Sequence, residues 1–178
     1  MKVLAFAATN SRQSINKQLA TYATQLLDAE TTEILDINDY EVPLFSIERE
    51  EELGQPEKIK QFYQKITDAD ALVIAFAEHN GTYTAAFKNL FDWASRINQK
   101  VWQGKPMVLL ATSPGPGGAK NVLASAVTSA PFFGGEVKGQ FSLPNFYDNF
   151  DSETGEITNI DFDEQLKTVV STIALENA

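Results

Sequence analysis

The sequence predicts an α/β fold in which a five-stranded parallel sheet carries helices on both faces. Strand-like and helix-like segments alternate along the chain, a pattern that indicates parallel strands joined by crossover helices. Three of the strand-like segments are almost wholly apolar, as is typical of central strands that are covered on both faces. No Pro- or Ser-rich linker and no internal repeat interrupts the 178 residues, a length typical of one domain. We therefore predict a single domain over residues 1–178.

Five short segments have the composition of strands. They are Lys2–Ala8, Glu33–Ile37, Ala71–Ala77, Met107–Thr112 and Glu136–Ser142. Between and after them, apolar residues recur at steps of three and four, which predicts five amphipathic helices. These patterns run from Ile15 to Leu27, Ile59 to Ile66, Phe87 to Ile97, Val122 to Val127 and Phe162 to Ile173. The segments Asp39–Pro56 and Leu143–Asp161 follow neither period, so we predict long loops there, which are either functional or simply solvated.

The composition limits the chemistry that the chain can perform. It contains no cysteine, which excludes disulfides, thiolate metal sites and cysteine nucleophiles. Redox activity would therefore need a bound cofactor. The net charge of −10 opposes nucleic-acid binding, because such binding relies on clustered Lys and Arg. We expect no nucleic-acid partner.

The N-terminal sequence has no targeting pattern. Lys2 leads directly into the first strand, without the basic and then long apolar regions of a secretory signal. No apolar run in the sequence approaches the length that a membrane-spanning helix needs. We therefore expect a cytoplasmic protein with no membrane partner.

The segment after the first strand is rich in hydrogen-bond donors. It contains Thr9, Asn10, Ser11, Arg12, Ser14 and Asn16. Because a helix N-terminus offers free N–H groups and the positive end of the helix dipole, this segment is predicted to bind a phosphate despite the acidic net charge. The alternative is that Ser11 or Ser14 only caps the helix.

The third strand leads into a second polar segment, formed by Glu78, His79, Asn80 and Gly81. A polar loop that follows a buried strand is well placed to contact a ligand, and Gly81 allows the backbone to approach a flat ring closely. Gly81 by itself is equally consistent with an ordinary turn. His79 is the only histidine, so it cannot belong to a histidine metal cluster, and we assign it neither a metal nor acid–base work.

The fourth strand is followed by Ser113-Pro-Gly-Pro-Gly-Gly, in which Gly115, Gly117 and Gly118 leave bare backbone N–H groups. By itself this stretch is also typical of a turn into the next helix. In a sheet of order 2-1-3-4-5, however, the loops after strands one, three and four meet at the edge where the flavodoxin-like fold binds flavin mononucleotide (FMN). The three loops together therefore predict an FMN site.

The same loops resemble the signatures of the NADPH-dependent FMN reductase family, which includes flavin, quinone, azo-dye and chromate reductases. The first loop is similar to G-S-x-R-x-x-S-x-N, with Asn10 in place of the glycine. The second motif is similar to P-E-Y-N followed by L-K-N-x-x-D-W, with Ala77, His79 and Phe87 in place of the proline, tyrosine and leucine. The Ser-Pro-Gly-rich turn is the third signature. The resemblance spans most of the chain.

This resemblance implies a flavodoxin-like fold that holds FMN, with NADPH or NADH as the electron donor. Ser11, Arg12, Ser14 and Asn16 would hold the FMN phosphate. The isoalloxazine ring would be lined by Glu78, His79, Asn80, Gly81, Ser113, Gly115, Gly117 and Gly118. Hydride would pass from the nicotinamide through the flavin to a flavin, quinone or similar small acceptor. This chemistry belongs to the cofactor and needs no catalytic side chain.

Two questions stay open in the sequence. The chain also fits a non-enzymatic flavodoxin-like electron carrier or an FMN-binding module, since acidic carriers dock on basic partners, although Arg12 and the Lys88–Trp93 segment resemble the reductases. The resemblance, together with an aromatic-rich helical region, further predicts a homodimer or homotetramer. The rings of that region, at Phe87, Phe91, Trp93 and Trp102, are equally suited to the core.

Overall fold

Five strands form one parallel sheet in the computed structural model, which describes residues 1–173. They are β1 (Lys2–Ala8), β2 (Thr31–Leu35), β3 (Ala71–Phe76), β4 (Pro106–Thr112) and β5 (Glu136–Leu143). The strands lie in the order β2-β1-β3-β4-β5, and every neighbouring pair is parallel. The predicted sheet and its order are therefore confirmed. Residues 174–178 of the predicted domain lie outside the described residues.

Helices cover both faces of this sheet. They are α1 (Ile15–Gln25), α2 (Ile47–Leu53), α3 (Glu57–Asp68), α4 (Ala85–Ile97), α5 (Lys120–Ser129), α6 (Phe146–Asn149) and α7 (Ile160–Ser171). On β1, Leu4 and Phe6 belong to the apolar cluster formed with α3, α4 and α5, whereas Val3 and Ala5 belong to the cluster formed with α1 and α7. This alternation is the two-residue period of a strand. The five predicted amphipathic helices correspond to α1, α3, α4, α5 and α7.

The second strand lies two residues earlier than the predicted Glu33–Ile37. It ends at Leu35, and Ile37–Tyr40 forms a 3₁₀ helix. The Asp36 carboxylate accepts a hydrogen bond from the backbone N–H of Asn38 and so caps this helix. The capping carboxylate of Asp36 therefore starts a helix at Ile37, where the apolar pattern alone predicted that the strand continues.

The predicted loop at Asp39–Pro56 is wrong in part, because the segment contains α2. Ser46 caps α2 by accepting a hydrogen bond from the N–H of Arg49. No residue of α2 is buried. A helix without a buried face has no apolar period for a sequence pattern to detect.

The predicted loop at Leu143–Asp161 is also wrong in part. It contains α6, the start of α7, and an antiparallel pair formed by β6 (Phe150–Asp151) and β7 (Glu156–Ile157). Phe146 and Phe150 are buried, and their rings stack with centroids 4.6 Å apart. The segment is therefore packed against the core, but its elements of two and four residues are too short to show a period.

The segments that follow β1, β3 and β4 lie at one edge of the sheet, because parallel strands all end at the same edge. We call them the β1 loop (residues 9–14), the β3 loop (residues 77–84) and the β4 loop (residues 113–119). This edge is where open α/β sheets bind ligands. Within residues 1–173, no helix has both the length and the apolar character needed to cross a membrane.

Candidate functional site

The β1 loop places several polar side chains at the N-terminus of α1. Ser14 is buried and caps the helix, with its Oγ accepting a hydrogen bond from the N–H of Lys17 at 3.2 Å. The capping alternative raised by the sequence is therefore observed for Ser14. Ser11 and Arg12 are exposed, and the first turn of α1 has no acidic residue. The positive end of this helix dipole is thus left without a carboxylate, next to an exposed guanidinium.

Asn16 is placed differently from Ser11 and Arg12. Its side-chain amide is buried, donates to the carbonyl of Thr112 at 3.2 Å and accepts from the N–H of Thr112 at 3.0 Å. Thr112 ends β4, and its own Oγ1 donates to the carbonyl of Leu143 at 2.7 Å. Asn16 therefore joins the start of α1 to the start of the β4 loop.

The β3 loop folds into a tight hairpin turn. His79 and Thr82 exchange two backbone hydrogen bonds, of 3.0 and 3.2 Å. The two central residues, Asn80 and Gly81, have φ values of 53° and 79°. Positive φ at both central positions is the type I′ pattern that an Asn-Gly pair favours. The turn leaves His79, Asn80 and Gly81 exposed at its tip.

Thr84 ties the end of the β3 loop to the end of β1. Its Oγ1 donates to the carbonyl of Ala8, the last residue of β1, at 2.9 Å. The same oxygen caps α4 by accepting from the N–H of Phe87 at 3.2 Å. Sequence analysis did not single out Thr84. A threonine directly before a helical pattern signals such a cap, but the contact with Ala8 depends on the tertiary fold.

Glu78 ties the start of the β3 loop to α5. Its Oε2 accepts a hydrogen bond from the N–H of Val122 at 2.9 Å, and its Oε1 accepts one from Nδ2 of Asn121 at 3.3 Å. The residue at the N-cap position of α5, Ala119, has no side-chain oxygen with which to cap the helix. Glu78 therefore supplies the cap from another loop.

The β4 loop follows a path set by backbone and hydroxyl hydrogen bonds. The carbonyl of Gly115 accepts from the Ser113 hydroxyl at 3.1 Å and from the N–H of Asn145 at 3.0 Å. Ser142 donates its hydroxyl to the carbonyl of Gly118 at 2.7 Å. These contacts attach the loop to β5 and to the segment that follows it.

The glycines of the β4 loop differ in whether the backbone angle and the surrounding atoms exclude a side chain. Gly118 has a φ of 59°, and an added Cβ would lie 2.3 Å from Oγ of Ser142. Gly115 and Gly117 have no such φ, and an added Cβ there would meet no atom within 4 Å. The fold therefore explains why residue 118 is a glycine. The backbone at Gly115 and Gly117 borders open space that can hold a flat ring.

These residues fit FMN in the chemistry of their donors. An exposed Arg12 and Ser11 at a helix N-terminus suit a dianionic phosphate. The exposed hairpin tip and the two open glycines offer backbone N–H groups and space for a planar ring. The acidic side chain of the β3 loop, Glu78, accepts hydrogen bonds from α5. Its negative charge is therefore partly neutralised at α5 and does not exclude a phosphate from α1.

The helical half of the second motif has a supporting role. Asn89 accepts from the N–H of Phe45 at 2.8 Å and donates to the carbonyls of Val42 and Pro43, each at 3.2 Å. The indole N–H of Trp93 donates to the same Pro43 carbonyl at 2.8 Å. These contacts hold the segment after β2 against α4. A cavity of about 320 Å³, lined in part by Asn10, lies between them.

A family profile and two relatives match the sequence of this chain. The profile of the NADPH-dependent FMN reductase family matches residues 1–148. The 2-hydroxy-1,4-benzoquinone reductase of Burkholderia sp is 36% identical over 117 residues, which span 65% of this chain and 62% of that protein. The NADH-dependent flavin reductase subunit 2 of Lactobacillus johnsonii is 30% identical over 169 residues, which span 88% of this chain and 86% of that protein.

A solved structure shows the same fold. FerB, a flavoenzyme NAD(P)H:(acceptor) oxidoreductase from Paracoccus denitrificans, matches with a TM-score of 0.75 at 24% sequence identity. The match covers 97% of this chain and 94% of that chain. The predicted flavodoxin-like fold and the family resemblance are both confirmed. Because the family profile covers most of its length, the chain belongs to the NADPH-dependent FMN reductase family.

Proposed function

We propose that this chain binds FMN in a single domain and passes hydride from NADPH or NADH to a small acceptor of the quinone or flavin type. The observation that carries the proposal is the exposed Arg12 and Ser11 at the N-terminus of α1, beside loops whose glycines are open to a ring. Family membership supports the cofactor. The names of the benzoquinone reductase and the flavin reductase subunit support the acceptor class.

The proposed phosphate site combines side-chain and backbone groups of the β1 loop. Arg12 supplies a guanidinium that can bind two phosphate oxygens at once. Ser11 supplies a hydroxyl, and Ser14 holds the helix N-terminus so that its N–H groups point at the anion. We assign Asn16 the role of positioning this loop, because both ends of its amide are used by Thr112.

The proposed ring site lies between the β3 and β4 loops. His79, Asn80 and Gly81 form one wall at the hairpin tip, and Gly115 and Gly117 form the opposite wall. Ser113, Gly118 and Glu78 shape these walls through the contacts described above. When bound, FMN supplies the hydride chemistry, so the side chains need only bind and orient it.

The alternative is a non-enzymatic electron carrier. The net charge of −10 favours it, because negative charge steers a carrier to basic partners. Arg12 and the family match favour the enzyme. A reductase oxidises NADPH or NADH in a continuous reaction with a benzoquinone, whereas a carrier does so only when a separate reductase is added.

The test begins with the purified protein and FMN. Quenching of flavin fluorescence on titration measures binding, and loss of flavin absorbance on anaerobic addition of NADPH or NADH measures reduction. The proposed function requires both signals and catalytic turnover with a quinone or free flavin. A protein that does not quench FMN fluorescence would overturn it.

We further propose a cytoplasmic homodimer or homotetramer. Phe87, Trp93 and Trp102 are buried in the core, so these rings do not support the proposal. Phe132, at 71% exposure, does support it, because it adjoins the half-buried Phe133 at an apolar cavity of about 160 Å³ between α4 and α5. Light scattering that gives a monomer mass at micromolar concentration would contradict this assembly.

A further inference from the structure

The helices α1, α4 and α5 follow the three loops of the proposed FMN site, and one of them is capped by a charged group. Ser14 caps α1 and Thr84 caps α4, each through a neutral hydroxyl. The cap of α5 is the carboxylate of Glu78, 44 residues earlier in the chain. Within residues 1–173, none of the three helices has an acidic residue in its first turn.

This arrangement changes the electrostatic field at the site. The N-terminus of a helix behaves as about half a positive charge. The carboxylate of Glu78 offsets that charge at α5, while the N-termini of α1 and α4, each capped by a neutral hydroxyl, keep it. An anionic group is thereby favoured at α1 and α4 over α5, and the negative charge of Glu78 lies between the β3 loop and the first turn of α5.

The same carboxylate also links the β3 loop to the helix that follows the β4 loop. Glu78 belongs to the β3 loop, and its two hydrogen bonds reach the first turn of α5, directly after the β4 loop. Without the carboxylate, these two loops would lose that side-chain link.

We propose that Glu78 is a positioning residue that fixes the gap between the β3 and β4 loops and lowers the reduction potential of FMN bound there. The inference rests on the proposed function. Reduction adds negative charge to the flavin ring, and charges near the ring tune its potential. With FMN bound between these loops, the carboxylate of Glu78 would disfavour that added charge, whereas an uncapped N-terminus of α5 would favour it.

Two variants separate the positioning effect from the charge effect. Glu78→Gln removes the charge but keeps an oxygen that accepts from the N–H of Val122, and the exposed Asn121 amide can rotate to accept from the new amide. Glu78→Ala removes both the charge and the link. Glu51→Gln, on the exposed surface of α2, is the matched control for loss of one negative charge.

The measurements are the FMN dissociation constant from fluorescence quenching, the midpoint potential against a reference dye, and denaturant unfolding of the flavin-free protein. Glu78→Ala is expected to weaken FMN binding roughly tenfold or more, as for loss of hydrogen bonds to a charged group. Glu78→Gln is expected to retain most of the affinity and to raise the midpoint potential. Glu51→Gln is expected to match the unmodified protein in both.

The outcomes distinguish this inference from the proposed function. If the unmodified protein binds no FMN, the proposed function fails before any variant is compared. If it binds FMN and Glu78→Gln has the same midpoint potential, the electrostatic role is overturned. Unchanged FMN affinity in Glu78→Ala overturns the positioning role. Should Glu78→Ala fail to fold, the potential of Glu78→Gln decides the inference.

Discussion

The side-chain amide of Asn16, at the start of α1, pairs with both backbone groups of Thr112, at the end of β4. The two residues are 96 positions apart in the chain. Thr84 makes a similar link from the β3 loop to the end of β1, and Glu78 links the β3 loop to α5. Three side chains thus connect strand ends and helix starts that flank the loops of the candidate site, an arrangement typical of preorganised sites.

We expect Asn16→Leu to destabilise the protein without flavin by about 2–4 kcal/mol. The substitution leaves the buried N–H and carbonyl of Thr112 without partners, and each such group costs about 1–3 kcal/mol. Urea unfolding measures the loss, and Gln25→Leu, at an exposed position at the end of α1, serves as the control. An unfolding free energy equal to that of the control would contradict the bracing role of Asn16.

Gly118→Ala is expected to lower the stability of the protein, whereas Gly117→Ala is expected to weaken FMN binding. Gly118→Ala should lose about 1–3 kcal/mol of stability, because its φ is positive and a Cβ would clash with Ser142. Gly117→Ala should fold normally, because an added Cβ meets open space, but should bind FMN more weakly. Thermal unfolding and FMN titration of both variants test this. Tight FMN binding by Gly117→Ala would show that the ring does not lie against that residue.

Arg12→Ala is expected to weaken FMN binding roughly tenfold to a hundredfold, as for loss of a charge-assisted hydrogen bond. Its stability without flavin should change by less than about 0.5 kcal/mol, because Arg12 is exposed. Fluorescence titration measures the affinity, with Arg49→Ala on α2 as the control for loss of a surface guanidinium. Equal affinities in the two variants would count against a phosphate site in the β1 loop.

Asn89→Ala is expected to release the segment after β2 from α4. The variant loses the acceptor for the N–H of Phe45 and the donor to two carbonyls. Hydrogen exchange at the Phe45 amide should become faster. Lys88→Ala, which removes only a surface ion pair with Asp92, should leave that rate unchanged. If exchange at Phe45 is equally slow in both variants, Asn89 does not hold the segment.

The Lys17–Asp36 pair predicts a loss of stability in acid. Burial of Asp36 opposes its ionisation, but hydrogen bonds from the Lys17 ammonium and the Asn38 amides outweigh this and lower the pKa of Asp36 below its usual 3.8. A lowered pKa in the folded state contributes stability that is complete above the usual value and disappears as the pH falls further.

Asp36→Asn should therefore flatten the acid side of the stability profile. Unfolding free energies measured from neutral pH down to about pH 3 cover the range below the usual carboxyl pKa. The exposed Asp28→Asn should keep the slope of the unmodified protein. A profile for Asp36→Asn that falls as steeply as that of the control would exclude the pair as a source of acid sensitivity.

The local apolar pattern was sufficient to predict those helices and strands that have a long buried face. The apolar runs of β1, β3 and β4 and the three- and four-residue steps of the larger helices follow directly from burial, so the sheet and its covering helices were predictable. α2 was not, because it buries no residue. The pair of β6 and β7 was not, because two residues on each side carry no period.

The residues of the candidate site divide in the same way. The sequence alone predicted polar loops after strands one, three and four, with glycines in the second and third of them, and an FMN site formed by the three. Only the tertiary structure decided that Arg12 and the hairpin tip are exposed while Asn16 and Glu78 serve as links between loops. The physical reason is distance along the chain. A side chain bonds to whatever backbone group the fold brings to it, and Thr112 and Val122 lie 96 and 44 residues from their partners.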